Sequence, residues 1–104
     1  MLNVGLFVRL EARPGKELEV EAFLHEGLRM VAQEPLTLLW FAIRLGPSSF
    51  AIFDAFEGEQ GRQAHLSGKV ADALMASAPD LLSRPPSIES VDILAAKIPE
   101  PQRV

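Results

Sequence analysis

At 104 residues, with 48% hydrophobic and 23% charged residues, the chain reads as one globular domain built on one hydrophobic core. A net charge of −4 leaves no footprint for nucleic acid, which calls for clustered Lys and Arg, and no run of about 18 apolar residues is present to span a membrane. The lack of cysteine excludes disulfides, thiolate catalysis and Cys-type zinc or iron–sulfur sites together. In the opening MLNVGLFVRLEARPGK the charges follow the apolar run, the reverse of a secretory signal, so a cytoplasmic location is expected.

Val4 to Glu11 reads as the first strand, with Val4, Leu6, Val8 and Leu10 on one face. Arg13-Pro14-Gly15 breaks it, and from Lys16 to Gln33 the period turns helical. Val20, Phe23, Leu24, Gly27, Leu28 and Val31 make one apolar stripe opposite Glu17, Glu19, Glu21 and Glu26. Pro35 ends the helix. Thr37 to Leu45 and Ser49 to Phe56 are strands joined by the Gly46-Pro47-Ser48 turn. Helix resumes from Glu57 to Leu66, breaks at Ser67-Gly68 and continues to Ala78, with Pro79 and Pro85-Pro86 closing the region. Ile88 to Ile98 is the last strand. The domain spans 1–98, with 99–104 a polar tail. This order, β-α-β-β-α-β, predicts an α+β ferredoxin-like fold with an antiparallel sheet.

Two helices cover only one face of such a sheet, and the other face normally alternates to polar. Here strands two to four are apolar on both sides: Leu39, Phe41 and Ile43 against Leu38, Trp40 and Ala42; Phe50, Ile52 and Phe56 against Ala51, Phe53 and Ala55; Val91, Ile93 and Ala95 against Leu94, Ala96 and Ile98. A bare apolar face is an association patch, so a homodimer through the sheet is expected.

Few residues carry chemistry. Asp54 shares a strand face with Phe50, Ile52 and Phe56, so its carboxylate requires a partner. Arg44 on the neighbouring strand, or Arg9, is the expected one. The alternative is a catalytic base. His65 titrates near neutrality and is the second candidate base, with a pocket-edge structural role as the other reading. His25 lies between Glu21 and Arg29 at helical spacing, which a solvated ion-paired face explains. No metal-ligand spacing is present, and Gly58 and Gly61 match no phosphate loop. Trp40, Ile52, Phe56 and Leu74 are the expected lining of an apolar pocket for a small aromatic ligand.

The aromatic strand, acidic helix start and Ala-His-Leu-Ser of Phe50 to Gly68 resemble the antibiotic-biosynthesis-monooxygenase family. So do Arg13-Pro14-Gly15-Lys16 at the first helix and Leu81-Leu82 through Pro86 before the last strand. The resemblance implies a dimeric α/β barrel and, for some members, oxidation of quinol-like aromatics without metal or flavin. The expected function is a cofactor-independent monooxygenase of a quinol or polyphenol, with Asp54 and His65 catalytic. The alternative is a non-catalytic ligand-binding or stress-response dimer of the same fold. Where the polyketide oxygenases of the family carry Asn and Trp on the third strand, this chain has Ile52 and Phe56. At positions used by the haem-degrading branch it has Val8, Phe56 and Met75, so haem degradation is not expected.

Overall fold

Strand β1 (Val4–Glu11) is central and pairs on both sides, with β3 (Ser49–Phe56) and with β4 (Ser87–Asp92). β2 (Leu39–Arg44) pairs with the outer side of β3, giving the antiparallel order β2-β3-β1-β4. The computed structural model describes residues 1–99, and 100–104 of the expected tail lie outside the described residues. Helix α1 (Glu17–Val31) links β1 to β2, and α2 (Glu59–Leu66) with α3 (Lys69–Leu81) links β3 to β4. This is the ferredoxin-like order read from the sequence, with the second helix broken at Ser67-Gly68. The sheet of one chain is open, with β2 and β4 as its edges.

Alternation places Leu6, Val8 and Leu10 of β1 and Phe50, Ile52 and Phe56 of β3 on the helix-covered face. They pack with Val20 and Leu24 of α1 and Leu74 and Ala78 of α3. Phe50 and Phe56 are fully buried, each worth about 1.5–3 kcal/mol over an exposed ring. On the opposite face three phenylalanines stand in one row across three strands, since Phe53 is directly opposite both Phe7 and Phe41.

Several expectations are corrected. Pro79 lies inside α3, which continues to Leu81. It sits in the last turn, where the chain leaves the helix soon after and Leu82 N–H still reaches the Ala78 carbonyl. β4 ends at Asp92, not Ile98, because its partner runs out: Asp92 is opposite Val4, and Ile93 N–H makes one last bond to the Asn3 carbonyl. Beyond it Leu94 is 96% exposed, so the two-faced apolar pattern belongs to β2 and β3 and not to β4. β2 is shorter than the span 37–45, since Thr37, Leu38 and Leu45 lie outside it.

Gly5 marks a close approach of strands. A Cβ there would stand 2.6 Å from the backbone oxygen of Asp54, and backbone cannot yield as a flexible side chain does. Gly5→Ala is expected to cost about 1–3 kcal/mol, read as a lower urea midpoint with an unchanged slope. A variant as stable as the parent would show that β1 and β3 can part there.

Candidate functional site

Three ionisable groups come together, Asp54 and His65 buried and Glu34 half-buried. Asp54 projects from β3 onto the helix-covered face and is 0% exposed. His65 comes from the last turn of α2, where the helix C-terminus favours positive charge. Glu34 comes from the turn after α1, in which Gln33 and Glu34 N–H bond back to Met30 and Val31 carbonyls. His65 Nδ1–H donates to Glu34 Oε1 at 2.6 Å, and the Thr37 hydroxyl donates to the same oxygen at 2.8 Å. On the other side of the ring, Nε2 lies 3.0 Å from Asp54 Oδ2. That approach brings opposite charges together without an aligned hydrogen bond, and both Asp54 oxygens and Glu34 Oε2 remain buried without a donor.

Burial pulls the His65 pKa down, but the close Asp54 and Glu34 carboxylates outweigh it and hold the pKa above the usual histidine value. The imidazolium is the form that serves two carboxylates at once. Because those carboxylates sit on opposite ring nitrogens, they do not converge on one cation, and no metal-binding group of three ligating side chains occurs among the described residues.

The expected ion pair of Asp54 with Arg44 does not form, and Arg9 is not the partner either. Arg44 is opposite Phe50, two pleats from Asp54; its guanidinium pairs with Glu21 and lies 4.8 Å over the Phe50 ring. Arg9 is on the other face, 5.3 Å over Phe7. His25 is an exposed helix residue 3.9 Å from Glu21. Sequence reasoning missed Glu34 and Thr37 altogether.

A cleft of about 400 Å³ opens between α1 and edge strand β2, walled by Leu24, Trp40 and Phe50, with the Glu21–Arg44 pair among its lining. Trp40 is therefore both a cleft residue and the direct neighbour of Asp54 across the ladder. Ile52, Phe56 and Leu74, expected to line the same pocket, are instead buried in the core, and Phe56 packs beside His65 with ring centroids 5.6 Å apart.

No family model and no curated protein matches the chain. Among solved structures, a protein of unknown function from Nitrosomonas europaea is 53% identical over 97% of this chain and 98% of its own, with a TM-score of 0.94. The chain belongs to that protein's family. Its fold is also that of the antibiotic biosynthesis monooxygenases. A Caulobacter crescentus protein described as a candidate enzyme of that name superposes with a TM-score of 0.77 at 20% identity, over 90% of this chain and 92% of the other. A second Nitrosomonas europaea protein so described gives 0.79 at 13% identity, over 88% and 90%. The monooxygenase-like architecture inferred from Phe50 to Gly68 is thus the architecture present. Among the described residues no helix is long and apolar enough to cross a membrane.

Proposed function

We propose that this protein is a monooxygenase of small phenolic aromatics, binding a quinol-like ring in the α1/β2 cleft and using no cofactor. The observation that carries the reading is the cleft itself: an aromatic and aliphatic wall of Trp40, Phe50 and Leu24, lined also by a guanidinium–carboxylate pair. One of its lining residues, Trp40, stands directly opposite a buried carboxylate. The names of the fold neighbours supply the reaction class. A phenol that gives its proton to Asp54 becomes an electron-rich anion able to reduce oxygen itself. One oxygen atom enters the ring, the other leaves as water, and the ring supplies all four electrons and ends as a quinone. Asp54 is the proton acceptor, with the His65 ring 3.0 Å from its carboxylate. With the Phe7–Phe53–Phe41 row as contact surface, two copies pair sheet to sheet into the dimeric barrel.

The test is oxygen uptake with a panel of hydroquinones and anthrones. Turnover of at least one member is expected, falling by about 100-fold or more in Asp54→Asn, which keeps the shape and removes the base. No oxygen consumption by any member would overturn the enzyme reading. One observation favours a second reading, ligand binding without turnover: His65, the group best suited by nature to neutral-pH proton transfer, is tied up as a cation between two carboxylates. A ring that binds in air and is recovered unchanged would establish it.

A further inference from the structure

Trp40 and Asp54 face each other across the β2–β3 ladder on the helix-covered side. Both hold buried polar atoms without partners, the indole Nε1 on one and both carboxylate oxygens on the other. The indole is held down from above: a Cβ on Gly27 of α1 would already lie 3.4 Å from its outer edge. His65 gives Asp54 a compensating charge but no aligned donor. A buried donor or acceptor left unmade costs about 1–3 kcal/mol, and interiors seldom keep one, so an orphan donor and orphan acceptors on directly opposite residues, unpartnered among the described residues, point to a third party.

The chemistry of that third party is narrow. It must accept from an N–H and donate to a carboxylate. An ether or ketone oxygen only accepts, and an ammonium only donates. Water and a hydroxyl do both.

We propose that Trp40 Nε1 and Asp54 form a hydroxyl-binding subsite at the inner end of the α1/β2 cleft, filled by water in the empty protein and by a phenolic hydroxyl in the complex. This rests on the reading that the cleft takes an aromatic ring, and it adds the requirement that the ring carry a free hydroxyl. Trp40 is then more than a ring cradle: its N–H fixes the oxygen whose proton faces Asp54. A methylated ring leaves the carboxylate without its donor and is rejected, as polar sites reject analogues that lack the recognised group.

The experiment is anaerobic binding, followed by NMR, of hydroquinone and of its dimethyl ether. Hydroquinone is expected to bind at least about 100-fold more tightly and to shift the Trp40 indole N–H signal. In Trp40→Phe, which keeps the ring and deletes the N–H, the ratio should fall to within about tenfold. Without ligand, the indole proton should show a contact to a long-lived water. Equal affinities in the parent protein remove the subsite and leave the cleft reading standing. If neither compound binds, the cleft reading fails, and the water contact decides the subsite alone: an indole proton with none overturns it.

Discussion

His65→Leu is expected to destabilise the protein by about 3–5 kcal/mol, the cost of stripping the partner from buried charges. The substitution leaves the buried Asp54 and the half-buried Glu34 with no cation between them. It also loosens three parts of the chain, since β3, the end of α2 and the turn after α1 are joined through this ring. His65→Gln keeps a donor for one carboxylate and is expected to cost less. The pH dependence has a definite sign. The folded-state pKa of His65 lies above the ordinary histidine value of about 6.5, so its contribution is fully present below about pH 6.5 and fades as pH rises through the folded pKa. Urea unfolding at successive pH values checks both points. The parent should lose stability above neutrality, and His65→Leu should lack that slope. A leucine variant within about 1 kcal/mol of the parent, or a parent that gains stability over that window, would show that the cluster does not hold the fold.

The strands that were legible are those whose pattern and pairing agree. β1 and β3 have the bounds read from alternation, because each is paired along its whole length and turn residues close both ends. The last strand was not legible: Val91-Asp92-Ile93-Leu94-Ala95-Ala96 carries strand-like composition past the point where β1 has residues left to pair. Propensity says what a segment can do; the partner's length says where it stops. Proline lacks an N–H and so signals a helix stop at Pro79, yet in a final turn that loss is small.

For the site, the sequence singled out Asp54 and His65 but not their contact. Alternation puts Asp54 on the buried face correctly, and the next strand is the expected source of its partner because hairpin neighbours are close in sequence. The register places Trp40 there, and the charge arrives instead from α2, eleven residues on. Glu34 left one faint signal. A carboxylate just after a helix C-terminus meets the negative end of the dipole, so it calls for a local cation. Nothing in periodicity names which one, since that depends on how α2 folds back over the turn.

Phe53→Glu is expected to turn a dimer into a monomer without unfolding it. Phe53 is the middle of the Phe7–Phe53–Phe41 row, on the face away from the helices, so the change touches none of the buried core residues. Phe41 is 52% exposed and Ile43 40%, a surface that one chain leaves to water. Covering each ring contributes about 1.5–3 kcal/mol, and three per protomer outweigh the cost of association only when the patch stays free of charge. The polar flank of the face, Arg9 and Glu89 toward β4, tolerates charge and confines the contact to β1, β2 and β3. In a symmetric pair two glutamates would enter the apolar contact together, and like charges so placed cost several kcal/mol. The dissociation constant should therefore rise by about 100-fold or more. Sedimentation velocity across a concentration series reads this directly, with far-ultraviolet circular dichroism to show the fold retained. Glu89→Gln, at the polar flank, should leave the dimer intact. A parent protein that sediments as a monomer at micromolar concentration, or a Phe53→Glu variant as dimeric as the parent, would mean that something other than a second copy covers this face.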